Sequence, residues 1–327
     1  MSPTSGATRW VIESALAAIR NRIPAALAVV VETSGSTYVQ AGAIALFPTH
    51  SSQVGWLSGG CLEPEIARRA ESAANRECVE WMEIDSRDDE DLFSGSAVGC
   101  RGRLRLALLP VLAMDGWKAL ADAWIDGSGA LVLRLDASGQ LECRIGDLGQ
   151  DWNLQASVPD WEQGDGTAAS WTIALAEPPA VLIFGAGPEI PLLVPMLRSL
   201  GWMTWIVESR SRWQIHSDLA DHRIDQRPAS AMALTGPVAI RAALVMQHSF
   251  ELDREALLAL AMSSAPFVGL LGPLRRRDDL LKVLPGDIRD TLLPRLHSPI
   301  GLDLGGHGPE AIALSIAAQL QAWLHRR

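Results

Sequence analysis

Residues 181–190, Val-Leu-Ile-Phe-Gly-Ala-Gly-Pro-Glu-Ile, constrain the fold more than any other stretch of the chain. Four consecutive apolar residues are too few for a buried helix and fit a strand covered on both faces. Gly185, Ala186 and Gly187 turn the chain, and helical sequence runs on to Leu200. Strand-like runs recur at 204–207, 242–246 and 267–271, with helical stretches between them. Strands alternating with helices pair in parallel through right-handed crossovers, so the C-terminal half is expected to be a Rossmann-like, doubly wound parallel sheet. The same arrangement, with Glu208 closing the next strand, is the context of a dinucleotide site. There Gly185 and Gly187 would admit a pyrophosphate, and Glu208 would hold a ribose. Ile190 stands where a third glycine belongs, and Pro188 removes a backbone N–H from the phosphate cradle. The segment argues for the fold more strongly than for bound NAD(P).

At 327 residues the chain is long for one hydrophobic core, and two domains are expected. Residues 1–150 read as a mixed α/β N-terminal domain. It holds an amphipathic helix at 8–20, an apolar strand at 25–31 and strand-like runs at 43–47, 54–57, 78–84 and 103–109. Helices are expected at 62–74 and 115–126, and a hairpin at Ser138-Gly139. Between 147 and 179 the chain turns polar and irregular, with Gly164-Asp165-Gly166 and Pro178-Pro179. Residues 151–178 are therefore expected to be linker and 179–327 the second domain, with a ligand crevice between the halves.

Charge narrows the partners. Lys plus Arg is 28 against 38 Asp plus Glu, a formal net charge of −10. Nucleic acid and anionic membranes need clustered positive charge, so neither is expected. With 48% apolar and 20% charged residues the chain is globular. Twelve Trp against 1 Tyr and 5 Phe points to core or interface packing. The N-terminus lacks the basic and apolar regions of a signal peptide. The weakly charged stretch 180–197 is interrupted by Glu189 and by Pro188, Pro191 and Pro195, so no membrane span is expected. The 4 Cys form no C-x-x-C pair, which fits a reducing cytoplasm.

Two cysteines stand in suggestive surroundings. Ser58-Gly59-Gly60-Cys61-Leu62-Glu63 puts a thiol just before a helix, where unsatisfied N–H groups and the helix dipole favour thiolate. The alternative is a small buried hydrophobe, the commoner fate of a free Cys. Gly99-Cys100-Arg101-Gly102-Arg103 sets a second thiol between glycines and beside arginines, either for a ligand or as a tight turn entering a strand. Gly35-Ser36-Thr37 offers N–H groups and hydroxyls to an anion, or simply turns the chain. Cys78 and Cys143 lie in strand-like runs and read as structural. In the second half, His248 follows a central strand, where doubly wound sheets bind ligands, and Glu208, Arg210 and Asp303 are placed to line the same crevice. A histidine there is either a hydrogen-bonding residue or a proton donor. Arg275 to Arg277 could meet phosphate or form a solvated helix face.

Taken together, these segments resemble the xanthine dehydrogenase accessory protein family, XdhC/CoxI. In the first half the resemblance rests on the Gly35-Ser36-Thr37 loop with Ala41-Gly42-Ala43, on Ser58 to Glu63, and on Gly99-Cys100-x-Gly102. In the second half it rests on Gly185-Ala186-Gly187-Pro188-Glu189, Leu200-Gly201-Trp202, Arg210, Met246-x-His248 and Asp253. Phe267 to Pro273 with Arg275 to Arg277, Ser298-Pro299-Ile300-Gly301-Leu302-Asp303 and Pro309 to Leu314 complete it. The chain departs from the family pattern at Tyr38-Val39-Gln40, where a proline and a basic residue are common.

The resemblance implies a chaperone that binds the molybdenum cofactor, plain or nucleotide-linked, and assists its sulfuration. It implies delivery to a molybdenum hydroxylase client such as xanthine dehydrogenase, a cysteine desulfurase as sulfur donor, and a homodimer. Cys61 and Cys100 are then the candidates to ligate molybdenum or carry sulfur, since a soft metal centre suits thiolate. Gly35, Ser36, Thr37, Ser58, Gly59, Gly60, Glu63, Arg101 and Gly102 would surround the cofactor, with Gly185, Gly187, Glu208, Arg210, His248 and Asp303 from the second half. An NAD(P)-dependent oxidoreductase with His248 as proton donor is the alternative, and a scaffold that tethers a molybdoenzyme to its sulfur donor is a third reading.

Overall fold

The computed structural model describes residues 6–85, 102–159, 161, 170–235 and 238–326. The chain divides into two compact units, Met1–Glu177 and Pro178–Arg327. The linker expected over 151–178 does not separate them. Ser170–Leu175 within it is a strand that pairs antiparallel with Leu131–Asp136. A polar, glycine-rich approach hid it, because only one face of the strand is buried.

The first unit contains two antiparallel sheets. Strands β1 (Ala25–Gly35), β2 (Ile44–Pro48), β3 (Glu80–Asp85) and β4 (Gly102–Pro110) form one, in the order β2-β1-β4-β3. Strands β5 (Leu131–Asp136), β6 (Gln140–Ile145), β7 (Leu148–Asn153) and β8 (Ser170–Leu175) form the other, in the order β7-β6-β5-β8. Helices α1 (Gly6–Asn21), α2 (Glu63–Arg76) and α3 (Trp117–Ile125) complete the unit. The strand expected at 54–57 is reduced to one bridge, Leu46 to Val54.

β1 explains why its sequence is apolar without alternation. Ala26, Ala28 and Val30 face one core with Ile66, Ala70 and Ala73 of α2. Leu27, Val29 and Val31 face another, shared with α1, α3 and the second sheet. Small side chains on the α2 side let helix and sheet approach closely. The second core holds much of the tryptophan: Trp117 and Trp124 are buried there, and Trp81 packs 4.8 Å from Trp171 and 5.9 Å from Trp161, centroid to centroid. Cys143 is buried in the same core, where burial pushes its thiol up to about 12.

The second unit is a doubly wound parallel sheet. Strands β9 (Ala180–Phe184), β10 (Met203–Val207), β11 (His222–Ile224), β12 (Ile240–Val245), β13 (Val268–Leu270) and β14 (Leu296–His297) run in the order β11-β10-β9-β12-β13-β14. Every pairing is parallel. Helix α4 (Ile190–Ser199) follows β9, and α5 (Gln214–Ser217) and α6 (Pro228–Ala231) follow β10 and β11. Next come α7 (Phe250–Ala261), α8 (Leu274–Val283), α9 (Gly286–Leu292) and α10 (Pro309–Leu324). Val181 and Ile183 bury into the layer of α4 and α10, while Leu182 and Phe184 bury into that of α7 to α9. The winding direction reverses between β9 and β12, so their carboxyl ends mark the topological switch point. Among the described residues no helix is long and apolar enough to cross a membrane.

Ile183 is fully buried in the central strand. Ile183→Ala is expected to destabilise this unit by about 2–5 kcal/mol, read by chemical denaturation with amide exchange in β9, β10 and β12.

Candidate functional site

Two motifs of the first unit, the Gly-Ser-Thr loop and Gly102, meet at one end of its four-stranded sheet. β1 finishes at Gly35, which pairs with Gly102, the first residue of β4. A Cβ at Gly102 would lie 2.5 Å from the carbonyl oxygen of Ser36 and from Thr37 Cγ2, so only glycine lets β4 start against this loop. Thr37 Oγ1 donates to the carbonyl of Val39 at 2.6 Å, which folds the Gly-Ser-Thr segment onto itself. β2 begins at the same end, beside β1, and Gly55 packs against Ile44 and Ala45. Leu57 and Leu62, on either side of the next loop, pack in one core with Val39 and Ala43. Gly99, Cys100 and Arg101 lie outside the described residues.

The loop before α2 is organised by one acid. Glu63 is buried, and its Oε1 accepts the N–H groups of Leu57 at 3.2 Å and Ser58 at 2.8 Å. Its Oε2 accepts the Ser58 hydroxyl. Ser58 Oγ accepts in turn from the N–H groups of Gly60 and Leu62, each at 3.2 Å. Burial pushes the Glu63 carboxyl up, but these donors outweigh it and hold the group below the ordinary carboxylate range. Glu63 and Ser58 therefore act as the frame of the loop. Cys61 is exposed on it, with Sγ 3.8 Å from Ser58 Oγ, and the space above Gly59 is open to 4 Å. An exposed thiol fits an accessible nucleophile or soft-metal ligand and not the buried hydrophobe. Arg103, a candidate anion contact by sequence, is engaged with Glu32 at 3.0 Å, and Arg105 bridges Glu32 and Glu83.

At the switch point of the second unit the acids and cations bind one another. Glu208, fully buried at the end of β10, accepts from the N–H of Ala186 at 3.0 Å and the N–H of Arg210 at 2.9 Å. It also accepts from Arg210 Nε and Nη2, and burial is outweighed by these bonds in holding its carboxyl low. Arg210 spans to the carbonyl of Gln247 at 2.8 Å and to its Oε1 at 2.7 Å. The Gln247 N–H donates to buried Asp253, which also receives Arg276. This lattice holds His248 with φ at +52°, uncommon outside glycine. Its Nε2 lies 3.2 Å from Oε2 of buried Glu189, and the imidazole stays half-exposed. The Glu189 hydrogen bond raises His248 above the ordinary imidazole value against burial. Glu189 itself, pushed up by burial, is pulled below its ordinary value by His248.

The glycines there serve this arrangement. Gly185, at φ +109°, would put a Cβ 2.5 Å from the carbonyl oxygen of Met246, and a Cβ at Gly187 would meet Glu189 Oε2 at 2.9 Å and His248 Nε2 at 3.1 Å. A dinucleotide would need the loop N–H groups and a free acid for the ribose. The N–H groups of Gly185, Ala186 and Ile190 donate to Val207, Glu208 and Gly187, Pro188 has none, and Glu208 is saturated by Arg210. Asp303 lies exposed in the loop before α10, and no hydrogen bond among the described residues joins it to Glu208, Arg210 or His248. Of the arginine run, Arg276 is bound to Asp253, Arg277 to Asp278, and the exposed Arg275 lies 3.9 Å from Asp279. Glu189, Gln247 and Asp253 escape sequence reasoning as site residues. The signal for Glu189 was its place directly after the glycine turn.

These features define a two-unit α/β protein with a C-terminal Rossmann domain whose switch point carries its own ion pairs. A family model described as XdhC Rossmann domain matches residues 181–320, and one described as XdhC and CoxI family matches residues 18–80. The chain is 26% identical over 319 residues to a probable xanthine dehydrogenase subunit of Bacillus subtilis (strain 168), covering 93% of this chain and 94% of that protein. The crystal structure of a xanthine dehydrogenase from Bacillus halodurans matches with a TM-score of 0.74 at 27% identity, covering 98% of this chain and 95% of that one. The chain belongs to the XdhC/CoxI family.

The histidine's contribution to stability is fully present below about 6.5 and is lost as pH rises through the raised value of His248. Glu189→Gln is expected to bring that value down to the ordinary imidazole range or below, seen by NMR titration. The stability gap between wild type and variant should shrink as pH rises past neutrality. Separately, Ser58→Ala removes the acceptor for two loop N–H groups and one partner of Glu63. It is expected to cost about 1–3 kcal/mol and to speed amide exchange at Gly60 and Leu62.

Proposed function

We propose that the chain binds the molybdenum cofactor as cargo, shields it while its terminal sulfur is installed, and delivers it to a molybdenum hydroxylase such as xanthine dehydrogenase. Family membership supports the coarser part, a xanthine dehydrogenase accessory role. The observation that carries the finer reading is an exposed thiol on a loop held by buried Glu63, in the same unit as a Gly-Ser-Thr loop packed against Gly102. A molybdenum–dithiolene centre is soft and takes sulfur ligands, and Cys61 presents its sulfur at the surface of a hydrogen-bonded loop. Cys100 precedes Gly102 by two residues and is the second candidate for metal ligation or sulfur carriage. Loop N–H groups and hydroxyls at Ser36, Thr37 and Gly59 suit the phosphate of a pterin cofactor, plain or nucleotide-linked. The sulfur donor in this reading is a cysteine desulfurase, the setting is the reducing cytoplasm, and the protein works as a homodimer. NAD(P) is disfavoured because Glu208, the acid a ribose would need, already accepts from Ala186 and Arg210.

The test is ligand retention through gel filtration. Wild type is expected to retain the molybdenum cofactor and to pass NAD(H) unbound. Cys61→Ala and Cys100→Ala are expected to lose at least about tenfold in cofactor affinity, roughly 1.4 kcal/mol, while keeping the wild-type circular dichroism. Retention of NAD(H) with no cofactor would overturn the proposal.

A further inference from the structure

In the second unit two buried carboxylates each hold one partly exposed basic side chain. Glu189, 3% exposed, binds Nε2 of His248, whose side chain is 49% exposed. Asp253, 1% exposed, accepts from Arg276 Nη2 at 2.5 Å, and the arginine is 26% exposed. Asp253 also accepts the N–H of Gln247 at 3.0 Å, so one carboxylate joins the arginine to the residue next to His248. The loops involved follow β9, β12 and β13, which are neighbours in the sheet. Glycines let them approach: a Cβ at Gly187 would lie 3.1 Å from His248 Nε2, and one at Gly272, at φ +127°, would lie 2.7 Å from Arg276 Cδ.

Both acids are engaged, while donors remain unused. His248 Nδ1 and the Nε and Nη1 of Arg276 have no hydrogen-bond partner among the described residues. Nε2 of buried Gln247 has none either. Three charged groups act on the imidazole. Glu189 and Asp253 favour its proton and Arg276 opposes it, and the Glu189 hydrogen bond prevails over burial. Arg210, which contacts Gln247, is paired with Glu208. The left-handed φ of His248 is costly for a residue with a Cβ and persists only where the surroundings fix it. Here they fix the ring against Gly187, with one nitrogen on Glu189 and the other unused.

We propose that His248 and Arg276 bind a terminal phosphate group, with imidazolium Nδ1 and the unused guanidinium N–H groups donating to its oxygens. A phosphate presents three strong acceptor oxygens and can take donors from separate loops. The crevice outside the strand carboxyl ends, at a switch point, is where doubly wound sheets meet their ligands. The site lies wholly within the second unit and does not depend on the cargo reading above. It needs no acid for a ribose, so the pairing of Glu208 with Arg210 leaves it intact. Glu189 and Asp253 do not touch the phosphate and are positioning residues.

The test is isothermal titration calorimetry of the full chain with inorganic phosphate, AMP and adenosine. Wild type is expected to bind phosphate or AMP at millimolar concentration or below, and not adenosine. AMP binding as tightly as phosphate or tighter marks a site for a monoester, and AMP binding much more weakly marks a site for the free ion; either supports the proposal. Asn tolerates a positive φ, so His248→Asn keeps the backbone and removes the cation. It is expected to lose at least about tenfold in affinity. Arg276→Lys, which keeps a partner for Asp253, is expected to lose about fivefold. Above about pH 7.5 a monoester is almost fully doubly ionised. There the wild-type affinity for AMP should fall as pH rises through the raised value of His248, and the fall should vanish in His248→Asn. Should a variant fail to fold by circular dichroism, the wild type decides alone, because phosphate must raise the His248 midpoint in an NMR titration. The proposal is overturned by absence of phosphate and AMP binding in wild type, by unchanged affinity in folded His248→Asn, by a His248 midpoint that phosphate leaves in place, or by adenosine binding as tightly as AMP.

Discussion

Three buried carboxylates, Glu63, Glu189 and Glu208, hold the loops at the strand ends of both units. Removing a charge from water is costly unless donors replace the lost hydration. Each acid recruits those donors locally: Glu63 from Leu57 and Ser58, Glu208 from Ala186 and Arg210, Glu189 from His248. In all three, burial and hydrogen bonding act in opposite directions on the carboxyl, and the bonds prevail. The loops take their shape from this demand. A ligand loop built in this way is rigid before any ligand arrives, which lowers the ordering cost of binding.

The demand has opposite results in the two units. In the second, Glu208 and Glu189 accept from Ala186, Arg210 and His248, which ties the loops of the switch point to one another. In the first, Glu63 sits beneath its loop and leaves Gly59 and Cys61 facing outward. Net charge follows the same logic. The chain carries −10, yet the ladder of Arg103 and Arg105 with Glu32 and Glu83 neutralises itself within the sheet. These two arginines are engaged within the sheet, and beside them the Gly-Ser-Thr loop offers an anionic ligand backbone and hydroxyl dipoles.

The parallel sheet was legible in the sequence because each of its central strands is buried on both faces and reads as a short apolar block. β1 was legible for the same reason. β8 was not, since its burial alternates and its approach is polar, and residues 54–57 looked like a strand although only Val54 is paired. At the sites, the residue types were readable and their partners were not. Glu208 and Arg210 were each visible as crevice residues, but their mutual bond is a three-dimensional fact. Exposure is likewise invisible to composition: Trp56 and the buried tryptophans are the same letter in the sequence.

β8 sets the order in which the molecule can be completed. It is the last strand of the first unit, pairs with β5 more than thirty positions earlier, and is followed only by Ala176 and Glu177 before the second unit begins. A chain emerging from the ribosome cannot close the second sheet, or bring Trp171 onto Trp81, until nearly the whole unit is outside. A fragment that ends between β7 and β8 leaves β5 an open sheet edge and Trp81 without Trp171, a template for association with other nascent chains.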